Sequence, residues 1–491
     1  MITILAFLFP MIAGVIFSAI RVQDEKKRNE YYILTILITD LLAVLAMAFA
    51  KPVTLLEFSE NVTLSFGFDG VGRYVLAAVL ILYTAVTFYS FEYMTMEEDP
   101  NFFFAFFFLS FGALIACCAS ANLVTVYLCF EAATLTSMPL VLQERTKAAI
   151  AAAAKYLFYS VAGALLGLLG VFYVYYYGSG GRSFVYGGFL DPAAVAGHEG
   201  VLLAVTFLAV IGFGTKAGMY PMHGWLPTAH PIAPAPASAL LSGIIAKAGV
   251  LAIIRLVYFS IGADFLRGTW VQTAWSCLAM LTIFMGSMMA FREKILKKRL
   301  AYSTVSQISY ILLGLSFMSD EGLKGGLIHL MGHASAKGCL FLVAGIFIYK
   351  LGVRNVDAEE LKGIGARMPV TLWCFLLASL SLVGIPPMAG FLSKWVIASA
   401  AIQTGHGFMG VLPVIILLIS ALLTAGYLLP LAIDGFFPGK TEGEEEAGEE
   451  AAVAEPVSAE PSRLMTIPMM CLCIVALLVG VFGGSLVEVL F

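Results

Sequence analysis

Charge is what this chain has least of. Only 12% of its 491 residues are charged, about half the share of a soluble domain, while 60% are hydrophobic and the mean hydropathy is +0.93. Such a chain cannot cover a water-facing surface, which excludes the soluble and disordered classes and leaves a polytopic membrane protein. An excess of positive charge is missing too. With 28 Lys and Arg against 32 Asp and Glu, the net charge of -4 offers no footprint for nucleic acid. Ten-residue alternating segments are absent, which excludes a membrane β-barrel. The eight cysteines (Cys117, Cys118, Cys129, Cys277, Cys339, Cys374, Cys471 and Cys473) form no C-x-x-C pair and have no His at ligand spacing. They read as small buried hydrophobes, which argues against an iron–sulfur cluster, a structural zinc or a disulfide framework.

What is present is a succession of apolar runs, at about 3–20, 31–50, 72–92, 102–119, 122–142, 149–177, 201–220, 237–258, 271–290, 300–317, 324–349, 369–398, 409–433 and 464–490. Lipid offers no partner to a bare peptide group, so runs of this length predict helices and an all-α protein with about 14 spans. The first run lacks a basic leader and a cleavage site and reads as a retained helix. Seventeen Lys and Arg fall in one set of alternating loops, against Lys51, Arg182, Arg267 and Lys324 in the other. By the positive-inside rule both termini face outside.

Seven cations remain within the spans or at their edges: Arg73, Lys155, Lys216, Lys247, Arg255, Lys337 and Lys394. A charged side chain near mid-bilayer costs about 2.5–3.5 kcal/mol on insertion scales, so five lysines and Glu131 imply a wet or charge-paired path inside the bundle. For Lys155, Arg73 and Arg255 the competing reading is a place near a helix end from which the side chain snorkels to water.

An internal repeat points the same way. Ala151-Ala-Ala-Ala-Lys155 precedes Val161-Ala-Gly163, and His333-Ala-Ser-Ala-Lys337 precedes Val343-Ala-Gly345, with the two lysines 182 residues apart. Next in each set, Gly212-Phe-Gly-Thr-Lys216 and Gly384-Ile-Pro-Pro-Met-Ala-Gly390-Phe-Leu-Ser-Lys394 place a lysine beside a Gly/Pro interruption. Two five-helix units of opposite topology, with broken seventh and twelfth spans, account for this pattern, which marks transport sites. The expected organisation is an N-terminal three-helix segment (1–100), a first repeat (101–258, inner half-channel), a second (270–433, outer half-channel), an acidic loop (434–463) and a last helix (464–491).

Several strings resemble a known family. Phe130-Glu131 with Ser137-Met-Pro-Leu140 is followed by Gly212-Phe-Gly-Thr-Lys216-Ala-Gly-Met-Tyr-Pro-Met-His223-Gly-Trp225-Leu-Pro-Thr-Ala-His230-Pro. After these come Ser238-Ala-Leu-Leu-Ser-Gly-Ile-Ile-Ala-Lys247, Leu300-Ala-Tyr-Ser303, His333 to Lys337 and Gly384 to Lys394. In this order they resemble the antiporter-like subunits shared by respiratory complex I, Mrp-type Na⁺/H⁺ antiporters and membrane-bound group 4 hydrogenases, over residues 70–430. The resemblance implies Glu131 and Lys216 as a buried ion pair, Lys247 as central relay and Lys394 as terminal proton site. It also implies a multi-pass place in the cytoplasmic membrane of a prokaryote. Its implied partners are lipids, further antiporter-like subunits and a hydrophilic redox arm, and the chain would hold no redox cofactor or metal of its own. At an effective dielectric of about 20 and roughly 6 Å, a Glu–Lys pair is worth about 3 kcal/mol, enough for its rearrangement to move a proton; the alternative is a static structural pair.

His329 and His333 stand one helical turn apart, with Lys337 a turn further, and suit a proton wire between Lys247 and Lys394. The alternatives are satisfied core histidines or a metal pair lacking its remaining ligands. Lys155 joins this relay set. His223 and His230 flank the Pro-rich loop after the seventh span and are proton-entry candidates; loop hydrogen bonding is the other reading. Asp40 has no evident partner. Lys440 to Ser462, with eight glutamates, reads as a disordered inside loop and solvated spacer. The favoured function is a translocating subunit of H⁺, alone or with Na⁺, within an oxidoreductase or translocase complex. The alternatives are a self-contained secondary transporter and a quinone-binding subunit.

Overall fold

Apolar runs satisfy their own backbone as helices, and the chain does so nearly throughout. The computed structural model describes residues 1–59, 62–179, 183–405, 407–438 and 459–489. Arg182, Lys440 and the glutamates from Glu442 to Glu455 lie outside the described residues. The long helices are α1 (Ile2–Ala19), α2 (Glu25–Phe49), α3 (Gly70–Tyr93), α4 (Pro100–Cys118), α5 (Leu123–Val141), α6 (Lys147–Tyr177) and α7 (Glu199–Ala217). After the short α8 (Leu226–Ile232) come α9 (Ala235–Ile261), α10 (Trp270–Arg292), α11 (Leu296–Ser316) and α12 (Asp320–Leu351). The chain ends with α13 (Pro369–Val383), α14 (Ala389–Thr404), α15 (Phe408–Phe436) and α16 (Arg463–Glu488).

Among the described residues, twelve helices are long and apolar enough to cross a membrane: α1–α7, α9, α10, α12, α15 and α16. The other expected spans differ in kind. Helix α11 has the length but opens on Lys297, Lys298 and Arg299 and carries Ser303, Ser306, Gln307 and Ser309. The run 369–398 is divided between α13 and α14, of 15 and 16 residues, each too short to cross alone. The all-α expectation also needs correction. Val53–Ser59 (β1) and Val62–Phe66 (β2) pair as an antiparallel hairpin between α2 and α3, a run of β-branched and aromatic residues too short and polar to make another helix. The hairpin is tied to the α4–α5 junction through Asn122, which caps α5 at Thr125 N and donates to Thr63 O at 2.9 Å.

Helix α9 is buried along its whole length and α12 along most of it, and the other helices wrap around these two. Large apolar side chains on the outer faces, such as Leu41, Phe158, Leu165, Leu422 and Ile474, stay exposed. Lipid tails are as apolar as leucine, so this surface costs nothing and helix contacts must come from close packing. Helices α6 and α7 meet at Gly163 and Gly212, where a Cβ on either would strike the other's backbone. Two left-handed glycines stop helices beside lysines: Gly218 (φ +80) ends α7 and Gly384 (φ +94) ends α13.

Candidate functional site

The charged residues inside the bundle fall into groups held by short polar contacts: Lys216 against α5, Lys247 with Lys337 across α9, α11 and α12, and His329 bonded to Ser393 beside Lys394 on α14. Lys216, in the last turn of α7 and fully buried, donates to Phe130 O at 3.1 Å and Thr134 Oγ1 at 2.6 Å, with Nζ 4.4 Å above the Phe130 ring. Glu131 occupies the same turn of α5, half-buried, with Oε1 lacking a hydrogen-bond partner. The expected ion pair is therefore an electrostatic neighbour relation and not a contact. The lysine is held by the carbonyl and hydroxyl on either side of the glutamate.

Helix α9 is not regular. Residues Leu241–Ile245 widen into a π turn, with Ala246 N bonded to Leu241 O, and the Lys247 ammonium donates to Ser242 O within it. Such single π turns loosen the backbone ladder and recur at functional sites. From the same residue, Ser242 Oγ bonds Thr304 Oγ1 on α11 at 2.7 Å. Thr304 in turn donates to Leu300 O at 2.9 Å, and that oxygen also accepts from Lys337 Nζ at 3.0 Å. Lys247 and Lys337 are thus linked through one turn of α9 and one of α11. Both are fully buried.

His329 and His333 stack with ring centroids 5.8 Å apart on α12. His333 has no partner on either nitrogen and feels the charges of Lys247 and Lys337. His329 Nδ1 bonds Ser393 Oγ at 2.8 Å, one residue before Lys394, while its Nε2 is unpartnered. Lys394 donates to Leu382 O at 2.6 Å and Val383 O at 2.9 Å, the last carbonyls of α13. The negative end of a half-helix thereby holds a cation. Beside it, Tyr310 lies 5.1 Å below Nζ and passes its hydroxyl to Ser420 at 2.7 Å, in a cluster with Ser287 and Ser306. A cavity of about 370 Å³ borders Lys394 and Gly384.

The remaining candidates lie on the same side as the α8 half-helix. Lys155 is half-buried and donates to Thr228 Oγ1 on α8 at 2.9 Å. His223 is half-buried, stacked on Tyr220, with Nδ1 unpartnered. His230 departs from its expected place in a loop: it sits on α8, fully buried against Phe341, with neither nitrogen bonded. Proline at both 227 and 231 suggested a loop, yet Pro227 occupies the first helical turn where no donor is missed.

Sequence reasoning overlooked Lys297 by counting it with the loop cations. It is buried at the start of α11, and its ammonium donates to Pro231 O and Ala233 O at the end of α8, as Lys394 does for α13. The neighbouring carboxylates of Glu97 and Glu144 act on it. The hydroxyl linkers Thr134, Ser242, Thr304 and Ser393 were also missed, because serine and threonine inside a membrane helix carry no signature of their own. Arg255 is not a snorkelling side chain: it is fully buried, forked onto Asp69, the N-cap of α3, and sandwiched by Phe184 and Phe259. Arg73 is exposed at its helix end as snorkelling requires. Asp40 has a partner, Thr84 Oγ1 at 2.7 Å. None of the described ion pairs includes Lys216, Lys247, Lys297, Lys337 or Lys394.

Residues 120–421 match the family described as NADH:quinone oxidoreductase/Mrp antiporter, transmembrane. The chain is 32% identical to NADH-quinone oxidoreductase subunit N of Desulforudis audaxviator, over 80% of this chain and 76% of the relative. It is 33% identical to hydrogenase-4 component B of Escherichia coli, over 72% of this chain and 52% of that longer protein. Its fold superimposes on a chain of the Mrp complex from Dietzia sp. with a TM-score of 0.79, covering 99% and 96% of the two chains at 21% identity. With this extent of sequence matched, the chain belongs to the NADH:quinone oxidoreductase/Mrp antiporter transmembrane family.

Proposed function

We propose that the chain translocates protons, as the antiporter-like membrane subunit of a complex-I-superfamily assembly. The observation that supports this best is a row of lysines without ion-pair partners among the described residues, four of them buried (Lys216, Lys247, Lys297 and Lys337) and Lys394 half-buried beside its cavity. Permanent ammonium charges at Lys247, Lys337 and Lys394, which no carboxylate faces among the described residues, would be costly in a membrane interior, and lysine is the cation that can shed the charge by releasing a proton. Between Lys247 and Lys394 lie hydroxyls and imidazoles, with Ser242–Thr304 and His329–Ser393 as hydrogen-bonded pairs and His329–His333 as a ring contact, while backbone carbonyls anchor the ammonium groups.

In this reading Glu131 shifts its charge to set the protonation of Lys216, which lies against α9 at Gly249 and so communicates with Lys247. The proton passes from Lys247 to Lys337, whose ammonium groups are anchored at the two ends of the Ser242–Thr304 link, and then by His333, His329 and Ser393 to Lys394. Lys155, His223 and His230 serve uptake beside α8. Lys394, next to its cavity, serves release. The chain would cross the membrane fourteen times, with α7–α8 and α13–α14 as broken spans and both termini outside. Its two units, α4–α9 as inner half-channel and α10–α15 as outer half-channel, would be inverted repeats in helix order. At residue level the match is looser, since Lys216 precedes its break and Lys394 follows its own.

The relatives' names extend the proposal to partners. They include the archaeal membrane-bound sulfane sulfur reductase, the Mrp complex and respiratory complex I from Thermus thermophilus, so further membrane subunits and a hydrophilic redox arm are expected here. Affinity purification of the tagged chain from its native membrane in mild detergent should bring these subunits along in fixed stoichiometry. A chain that elutes alone and still exchanges ions after reconstitution would instead be a self-contained transporter.

A further inference from the structure

Three thiols that lie far apart in sequence meet inside the bundle. Cys339 on α12, Cys374 on α13 and Cys473 on α16 are all buried, and their sulfurs lie within 4.8 Å of one another, with Cys339 and Cys473 at 3.5 Å. A centre bonded to sulfur at about 2.3 Å holds its thiolates nearly 4 Å apart, so small side-chain rotations complete a three-sulfur site. An apolar cavity of about 450 Å³, lined by Trp373, Cys374, Met470 and Cys473 among others, leads to it.

The surroundings decide which ion fits. Three thiolates around a monovalent or divalent metal carry net negative charge, and Lys337, two residues before Cys339 on α12, gives its ammonium to Leu300 O. An uncompensated anion there is disfavoured. A trivalent centre gives a neutral product. We propose that Cys339, Cys374 and Cys473 bind a trivalent thiophilic metalloid delivered as its neutral hydroxide, arsenous acid being the simplest. In the reaction three S–H and three As–O bonds break, three As–S and three O–H bonds form, and three waters leave. No electron is transferred. The hydroxide is uncharged and crosses the apolar cavity without an ion path. Binding would tie α12, which carries His329, His333 and Lys337, to α13, which holds Lys394, and to α16. The site stands independently of the proton-relay reading.

The test uses the purified full-length chain and sodium arsenite. Wild type should retain one arsenic per chain after gel filtration, with three As–S bonds by X-ray absorption. Cys339→Ser, Cys374→Ser and Cys473→Ser should each lower retention at least tenfold, whereas the Cys277→Ser/Cys471→Ser double variant should retain it. A second measurement needs no variant: arsenite should protect these three thiols, read by mass spectrometry, from a small membrane-permeant alkylating reagent. Equal alkylation with and without arsenite, oxygen-coordinated arsenic, or protection of Cys117, Cys118 and Cys129 instead would overturn the assignment.

Discussion

Replacing Lys394 by arginine separates a fixed charge from a transferable proton. Lys394 holds two terminal carbonyls of α13, at 2.6 and 2.9 Å, and stands over Tyr310. Hydrogen bonds to a charged group contribute about 1.5–3 kcal/mol each, and the helix end adds up to about 1 kcal/mol. Lys394→Ala should therefore loosen the α13–α14 break by a few kcal/mol, whereas an arginine retains most of that interaction. Proton exchange is another matter. Even in water, removing a proton at pH 7 costs about 7.5–9 kcal/mol from arginine against about 4.6 kcal/mol from lysine, a difference that slows each cycle by on the order of 10²–10³. Lys394→Arg should assemble like wild type on native gels yet lose proton uptake, measured by dye quenching in proteoliposomes carrying the assembled complex, almost as fully as Lys394→Ala. Normal pumping by the arginine variant would mean that position 394 supplies only a fixed charge.

Glu131→Gln and Lys216→Ala should each remove most pumping while insertion and assembly persist, and retained pumping in either would dismiss their electrostatic coupling. Lys297→Met should leave the end of α8 uncapped and reduce proton uptake at least tenfold at normal assembly; an unchanged rate would make Lys297 a structural cation alone. Arg255→Ala removes the fork onto Asp69, whose side chain is 38% exposed and can rehydrate, and should destabilise the chain by about 1.5–3 kcal/mol in unfolding assays, with partial rescue in Arg255→Lys. Cysteines placed at exposed positions 294 and 362 should react with impermeant reagents only from the cytoplasmic side, and those at 51 and 267 only from the other; the reverse pattern would invert the topology.

Hydropathy located the helices within a few residues, since lipid forces apolar runs to close their own hydrogen bonds. It was blind where structure departs from that rule. The hairpin at 53–66 is too short to produce a hydropathy signal, and the π turn at Leu241–Ile245 depends on how α9 packs. Glu131, Lys216, Lys247 and Lys394 were legible because a charge in an apolar run is conspicuous. Lys297 was not, because it belongs to a cluster with Lys294, Lys298 and Arg299, and only the fold tells the buried member from the solvated ones. The cysteine trio was invisible for a related reason: spacing along the chain cannot report thiols that meet from three helices.

The central claim is that protons pass through the buried lysine row, and Lys247, in its middle, tests it most directly. The assembled complex carrying Lys247→Ala should be reconstituted and its driving reaction and proton uptake recorded together. The account predicts an assembled complex whose proton uptake through this subunit falls to background, while the lysine at 247 restores it. Undiminished uptake by the alanine variant would contradict the account.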